Sequence, residues 1–312
     1  MQNKSFFQTM SDGCEIWVNR WIPDDGTEIK GIVQINHGLC EHSMRYDRLG
    51  SVFADNGYVL CAHDMRGHGR TAQNAESKNC GKFGYLSDKD GFNRVIDDLK
   101  EITLKLKEDF PNKKTILFGH SFGSFVSQGF IEKYADVIDS CVLCGTSGPN
   151  PLSKIGYLLS GLICVLKGKK NTCKLLEKIA FGSYNKRIPN ATSPKAWLSV
   201  SEANIMLYEG DAWCNFSLTN SFYHDMTGGL SQIHSKKNMK KIPKNLPLLF
   251  IYGTEDPVGN YGKSINALVD IYKNDGMSEI TVIPYEGYRH EILNDEIKET
   301  VEKDVLEWIA KN

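Results

Sequence analysis

The sequence predicts an α/β fold with a mostly parallel central sheet and helices on both of its faces. Short apolar runs recur along the chain, segments with helical spacing separate them, and polar clusters follow the runs. Apolar runs of this kind are typical of parallel strands that are buried on both faces. The six runs are 30–38, 58–64, 114–121, 139–145, 246–256 and 279–287.

Two segments between or after the runs have the spacing of an amphipathic helix. Apolar residues lie three or four positions apart from Phe92 to Leu106 and again from Ile297 to Ile309, which places them on one helix face. Pro111 marks the end of the first helix. Strands that alternate with helices predict right-handed crossovers, and ligands then bind beyond the carboxyl ends of the strands.

The alternation stops between about 149 and 240. We therefore expect a core formed by residues 1–148 and 241–312, and an inserted helical cap formed by residues 149–240. Within the cap, segment 155–166 is uncharged and nine of its twelve residues are apolar. It is too short to span a bilayer. Two interpretations stay open: a buried cap helix, or an apolar lid that contacts an acyl chain or a membrane surface.

Composition narrows the class of protein. The 312 residues are 41% hydrophobic and carry a net charge of −1, so a large core is expected and a nucleic-acid partner is not. No obligate protein partner is evident. The first residues lack the apolar stretch of a signal peptide, so we expect a cytoplasmic protein and leave open a transient contact of the cap with a membrane.

The nine cysteines are expected to be reduced thiols, because the chain shows no export signal. Cys141 and Cys144 form a CxxC motif within an apolar run, and we interpret them as core thiols. The sequence predicts no metal site and no cofactor. His37 and His42, like His63 and His68, are five positions apart, but no carboxylate or cysteine set completes either pair.

A G-x-S-x-G pattern lies where run 114–121 meets a helical segment. A serine hydroxyl needs a neighbouring base to become a good nucleophile. A sharp strand-to-helix turn presents the hydroxyl outward but crowds the positions two before and two after it, where Gly119 and Gly123 fit because they lack a Cβ. The pattern predicts Ser121 as a nucleophile, and the alternative is a tight turn with an idle serine.

The base and the acid should follow the serine, in the order serine, acid, histidine. His290 follows the last run, whereas His224 and His234 lie in the cap or at its edge, so His290 is the preferred base. The acid should lie at an intervening strand end. Asp256 is favoured there because Pro257 fixes a turn after it, with Glu255 as its competitor.

An oxyanion hole requires backbone N–H groups directed at the developing negative charge. One donor should be Phe122, directly after the nucleophile, and the other should come from the loop after an early strand. We assign the second donor to Leu39 in loop 35–46. The sequence assigns no other substrate-binding residues.

Five motifs together resemble the α/β-hydrolases of the serine aminopeptidase, monoacylglycerol lipase and lysophospholipase type. They are HGLCEHSMRY, HDMRGHGRT, GHSFGS, GTEDPVGNYG and YEGYRHEIL, and the resemblance covers about 30–148 and 246–312. It implies the α/β-hydrolase fold, a triad of Ser121, Asp256 and His290, and oxyanion donors at Leu39 and Phe122. Cys40 and Met44 stand where this family commonly has glycines, and a positive φ at Cys40 would be strained.

These observations predict a serine hydrolase that cleaves carboxylic esters, such as monoacylglycerols or lysophospholipids, through an acyl-enzyme on Ser121. An aminopeptidase of the same fold is the alternative. It would need a carboxylate for the substrate amine, and the cap offers four candidates: Glu202, Glu209, Asp211 and Asp225. A second alternative, from another class, is a non-catalytic ligand-binding protein.

Overall fold

The computed structural model describes residues 1–74, 80 and 82–312, and within them one sheet has eight strands. The strands are β1 (Gln2–Thr9), β2 (Glu15–Ile22), β3 (Gly31–Asn36), β4 (Tyr58–His63), β5 (Lys114–His120), β6 (Ser140–Cys144), β7 (Leu248–Gly253) and β8 (Ile280–Tyr285). Their order is β1-β2-β4-β3-β5-β6-β7-β8. β2 pairs antiparallel with β1 and with β4, and all other neighbours are parallel.

Helices cover both faces of this sheet. The helices are α1 (Asp47–Asp55), α2 (Gly69–Gln73), α3 (Gly91–Asp109), α4 (Phe122–Tyr134), α5 (Leu152–Lys167), α6 (Lys174–Phe181), α7 (Glu202–Gly210), α8 (Asn220–Ile233), α9 (Lys236–Met239), α10 (Lys263–Asn274) and α11 (Lys298–Lys311). Buried residues of α3, α4, α8 and α10 form a core on one face, and those of α1 and α11 form a core on the other. The predicted fold class is therefore confirmed.

Each of the six apolar runs contains one strand, but the hairpin β1–β2 was not predicted. β1 is mostly exposed and polar, so it lacks the continuous apolar run of a buried strand. The hairpin closes through Gly13, whose φ of 82° suits glycine. Its N–H donates to Met10 O at 2.8 Å. β2 joins the hairpin to the sheet at β4.

The expectation that all cysteines are reduced is wrong for two of them. Cys14 and Cys80 form a disulfide with a Cα–Cα distance of 5.9 Å. They are 66 positions apart, and only the fold brings the hairpin turn to the loop after α2, so sequence spacing gave no sign of the pairing. The other seven cysteines are free thiols. The interpretation of Cys141 and Cys144 as core thiols is confirmed, because both are buried in β6.

Between β6 and β7 the described chain forms helices α5 to α9 and no strand of the sheet. α5 packs against α8, and α8 packs against α3 and α4. The buried-helix interpretation of segment 155–166 fails for one side of α5, where Leu158 is 72% and Val165 is 82% exposed. None of the helices in the described residues is long and apolar enough to cross a membrane.

Candidate active site

The turn at Ser121 has the strained geometry that the glycine pattern predicts. Ser121 lies between β5 and α4 with φ 53° and ψ −121°, a conformation that L-residues rarely adopt. A Cβ at Gly119 would lie 2.6 Å from the carbonyl oxygen of Gly123, and a Cβ at Gly123 would lie 2.0 Å from that of Asn36. Both positions therefore require glycine.

The fold brings Asp256 and His290 together from the loops after β7 and β8. His290 Nδ1 lies 2.8 Å from Asp256 Oδ2, and both residues are buried. The second carboxylate oxygen, Oδ1, accepts the Val258 N–H at 2.8 Å. Because the carboxylate can only accept, Nδ1 carries the proton in this contact and Nε2 keeps its lone pair.

Ser121 and His290 line the same cavity, whose volume is about 300 Å³. Among the described residues, His290 Nε2 has no hydrogen-bond partner, so its lone pair is available to accept a proton. Gly145 permits this placement of the ring. Its φ is 56°, and a Cβ there would lie 3.0 Å from His290 Cε1. Sequence reasoning missed Gly145, although the glycine that ends run 139–145 was a visible signal.

The competing candidates lie elsewhere. Glu255 is exposed, whereas Asp256 is fully buried. His224 stacks on Tyr157 with ring centroids 4.1 Å apart, and His234 Nε2 lies 3.0 Å from Gln128 Oε1. Of the three histidines that follow the serine, His290 is the one that lines the cavity in the described structure.

The two predicted oxyanion donors also border this cavity. Phe122 is the first residue of α4, so its N–H has no acceptor within the helix. Leu39 follows Gly38, whose N–H donates to Glu41 Oε1. A Cβ at Gly38 would lie 3.1 Å from Ser121 Cβ, so glycine lets this loop approach the serine closely. Cys40 has a φ of 53°, which is a strained conformation for a residue other than glycine.

A buried charge network, which sequence reasoning missed, joins the loops of Leu39 and His290. Arg45 makes two 2.7 Å hydrogen bonds to Glu291 and one of 2.8 Å to Glu41. Glu41 Oε1 lies 3.1 Å from His120 Nδ1. Burial raises the pKa of Glu41, but the His120 hydrogen bond and the Arg45 charge outweigh burial and hold that pKa well below its usual range.

The same network shifts the pKa values of His120 and Glu291. Burial lowers the pKa of His120, yet the hydrogen bond and charge of Glu41 raise it above its usual value overall. Burial raises the pKa of Glu291, and the Arg45 charge lowers it overall. The lowered pKa values of Glu41 and Glu291 favour the ionised carboxylates, and the Arg45 guanidinium is the cation that pairs with both. The only sequence signal was the set of charged residues close to the glycine-rich and histidine-containing loops.

Three other histidines are neutral structural residues. Burial lowers the pKa values of His37, His63 and His68 to about 3. His37 Nε2 accepts the Met65 N–H at 3.0 Å, which fixes the loops after β3 and β4 against each other. These side chains support the loops and do not carry the proton of the serine.

The cavity walls are mostly apolar on the side formed by the helices between β6 and β7. Trp197 contacts the His290 ring, with centroids 5.1 Å apart. The Arg289 guanidinium donates to Ala196 O at 2.8 Å and to Ser199 O at 2.7 Å, so the loop of His290 holds the chain around Trp197. Apolar lining residues include Leu159, Leu176, Ile179, Phe181, Met226 and Leu230.

Comparison with known proteins identifies the family. The family described as serine aminopeptidase, S33 matches residues 27–297, and the chain belongs to this family of α/β-hydrolases. Among solved structures, a thermostable carboxyl esterase from Bacillus coagulans has a TM-score of 0.91 and 26% identity, and the match covers 100% of this chain and 99% of that one.

Curated relatives are similar over nearly the whole chain. A monoglyceride lipase homolog of Monkeypox virus is 26% identical, with 96% of this chain and 95% of that protein covered. A monoacylglycerol lipase of Mycolicibacterium smegmatis is 25% identical, with 96% and 94% covered. Family and relatives support the expectation of a carboxylic ester hydrolase.

Proposed function

We propose that this protein is a serine hydrolase that cleaves carboxylic esters through an acyl-enzyme on Ser121, with His290 as base and Asp256 as acid. One observation carries the proposal. His290 Nε2 is unpartnered among the described residues in the cavity that Ser121 lines, while its Nδ1 is held by Asp256. That arrangement gives the base the tautomer that proton transfer from a serine requires.

The reaction follows from these positions. His290 Nε2 takes the hydroxyl proton while Ser121 Oγ bonds to the ester carbonyl carbon, and the Asp256 carboxylate stabilises the imidazolium. The N–H groups of Leu39 and Phe122 hold the oxyanion. The alkoxide leaves with the proton from His290. Water then attacks the acyl-enzyme and gives its proton to the same nitrogen. When the bond between Ser121 Oγ and the acyl carbon breaks, Oγ takes that proton back and the acid is released.

The cavity favours esters with an acyl chain of medium length as the substrate class. The cavity wall formed by the helices that lie between β6 and β7 in the sequence is mostly apolar, as burial of an alkyl chain requires. Relatives named monoglyceride lipase and monoacylglycerol lipase support the same class. We therefore propose that the substrate is a monoacylglycerol or a lysophospholipid, and that residues 149–240 form the cap that covers its acyl chain.

The aminopeptidase alternative would need a carboxylate for the substrate amine, and the described part of the cavity offers no unpaired one. Within the described structure, the acidic residues lining the cavity are Glu41 and Glu291. Arg45 pairs with both of them, and Glu41 also contacts His120. Of the four cap candidates, Asp211 pairs with His42 and Asp225 lies in a separate cavity. Among the residues that the structure describes, a free substrate amine would therefore meet no unpaired carboxylate in this cavity.

Labelling and turnover test the proposal together. A fluorophosphonate probe should modify the wild type and the control Ser278→Ala, an exposed serine, but not Ser121→Ala, whose kcat should fall about 10⁶-fold. The p-nitrophenyl octanoate and butyrate esters should be cleaved far faster than an aminoacyl p-nitroanilide. Faster cleavage of the anilide would favour the peptidase, and a folded protein that resists the probe would favour a non-catalytic member.

We also propose a transient contact of the cap with a membrane surface. Apolar side chains of α5 and α7 are exposed to solvent, and Leu158 and Met206 are each 72% exposed. Lys154 and Lys167 belong to α5 as well. Apolar burial and attraction to anionic lipids would act together there. Leu158→Glu should reduce sedimentation with phosphatidylglycerol vesicles, whereas Leu104→Glu on α3 should not. Equal losses would argue against this surface.

A further inference from the structure

Three side chains of metal-binding type meet beside the proposed active site. His42 belongs to the loop after β3, and Asp211 and Cys214 belong to the segment between α7 and α8. Their donor atoms, an imidazole nitrogen, a carboxylate oxygen and a thiol sulfur, all lie within 4.8 Å of one another. From the sequence alone, the pair His37 and His42 was not expected to form a metal site, because no carboxylate or cysteine set completes it. The fold brings a carboxylate and a cysteine to His42 from a distant segment.

We propose that His42, Asp211 and Cys214 bind a thiophilic divalent cation such as Zn²⁺. Imidazole, carboxylate and thiolate are the donors that Zn²⁺ takes in proteins, and water would complete a tetrahedral site. The Asp211 side chain is 32% exposed, so the ion and this water have access from solvent. His42 and Cys214 are buried and would hold the ion from the protein side.

The geometry needs only a small adjustment. Zn–N and Zn–S bonds of about 2.0–2.3 Å place tetrahedral donors roughly 3.5 Å apart. His42 Nε2 now lies 2.8 Å from Asp211 Oδ2, and the widest separation in the cluster does not exceed 4.8 Å. Movements of about 1 Å in three side chains therefore bring the donors to bonding positions.

The protons also balance. His42 now donates through Nε2 to Asp211, and in the ion complex Nε2 offers its lone pair while the ring proton moves to Nδ1. Nδ1 has no partner in the part of the chain that the structure describes, so it is free to take that proton. The Cys214 thiol releases its proton to solvent, and each bound ion therefore displaces about one proton.

A bound ion would join two segments that border the active site. The Asn215 N–H donates to Cys40 O at 3.2 Å, and the Cys40 thiol donates to Phe216 O at 3.2 Å. The segment that carries Cys214 therefore already contacts the loop that carries Leu39. The positive charge of Arg45 nearby does not repel the ion strongly, because Glu41 and Glu291 compensate it.

Spectroscopic titration of the EDTA-treated full chain with Co²⁺ tests this inference. The wild type should bind about one equivalent and show a thiolate-to-cobalt charge-transfer band in the near ultraviolet. Cys214→Ser should lose the band. Asp211→Asn keeps an oxygen for the Trp213 N–H and should weaken binding by more than about 100-fold, since even outer-shell changes cost 10–100-fold.

Cys173→Ser is the matched control for unspecific thiol binding. Backbone hydrogen bonds from Leu176 and Leu175 lower the pKa of the Cys173 thiol, so this variant tests whether an isolated cysteine could produce the band. This variant should keep the wild-type band, and Zn²⁺ should raise its melting temperature as it does for the wild type. A wild type without the band, a band that survives in Cys214→Ser, or unchanged affinity in Asp211→Asn would overturn the site.

Discussion

Replacement of Asp256 by asparagine should abolish nearly all esterase activity without unfolding the protein. The carboxylate has two distinct partners: the Val258 N–H at Oδ1 and His290 Nδ1 at Oδ2, each at 2.8 Å. Asparagine has the same shape but offers one oxygen and one NH₂ group. The effect therefore depends on which of the two groups faces the histidine.

The Val258 N–H fixes that choice. If the NH₂ group of the asparagine faced Val258, two donors would oppose each other, so the oxygen stays there and the NH₂ group faces His290. The imidazole must then accept at Nδ1 and carry its proton on Nε2, where it cannot accept the proton of Ser121. The same substitution in a Ser-His-Asp protease lowers kcat about 10⁴-fold, which corresponds to about 5.4 kcal/mol of activation free energy.

Hydrolysis of p-nitrophenyl butyrate measures the effect, and Glu255→Gln is the matched control. Glu255 is the adjacent carboxylate, and its side chain is exposed, so its replacement should leave kcat within about twofold. Both variants should keep the wild-type melting temperature to within a few degrees. An Asp256→Asn enzyme within tenfold of the wild type, or an equal loss in Glu255→Gln, would refute the assignment of the acid.

Gly123→Ala should lower kcat/KM at least about 100-fold, because its Cβ would lie 2.0 Å from the Asn36 carbonyl oxygen and displace the loop of the oxyanion donor. Gly210→Ala, where the added Cβ would meet open space in the described structure, should be neutral, and two equal activities would contradict the clash. Burial raises the pKa of Glu132 to about 9. Ionisation of this buried carboxyl therefore costs no folding stability below the unfolded pKa of about 4.3, and the loss of stability grows by about 1.4 kcal/mol per pH unit up to about pH 9. In urea denaturation, the stability gained by Glu132→Gln should therefore increase from pH 5 to pH 8, and a gain independent of pH would refute the reasoning. Cys40→Gly should be more stable than Cys40→Ala by about 1 kcal/mol, because φ is 53° there; equal urea midpoints would show that the loop relaxes.

Local patterns carried most of what the sequence could predict. Five of the six strands in the apolar runs are buried, and β8 is mostly half-buried. Gly119 and Gly123 are required by contacts with residues of the adjacent turn and of β3. The positions of Asp256 and His290 follow from a second local rule, because each ends or follows an apolar run. Their assigned chemical roles stay predictions, whereas their convergence at one cavity is now a structural observation.

Long-range contacts that no local motif marks could not be predicted. The Cys14–Cys80 disulfide joins a hairpin to a distant loop, and the contact between Arg45 and Glu291 spans 246 positions. Segment 155–166 shows a different limit. Its apolar composition is equally compatible with a buried helix and with an exposed lid, and only packing against α8 decides which side is covered.

Arg45 holds two loops that are remote in sequence in fixed positions relative to each other. Its guanidinium contacts Glu41, three residues from Gly38, and Glu291, the neighbour of His290. Removing one member of a buried ionic network typically costs 3–5 kcal/mol, since the remaining charge stays uncompensated. Glu291 Oε2 also accepts from Asn204 Nδ2 at 2.9 Å, which adds α7 to the same network. The oxyanion loop, the histidine loop and a helix over the cavity therefore share one electrostatic constraint, so their relative positions are set before any substrate binds.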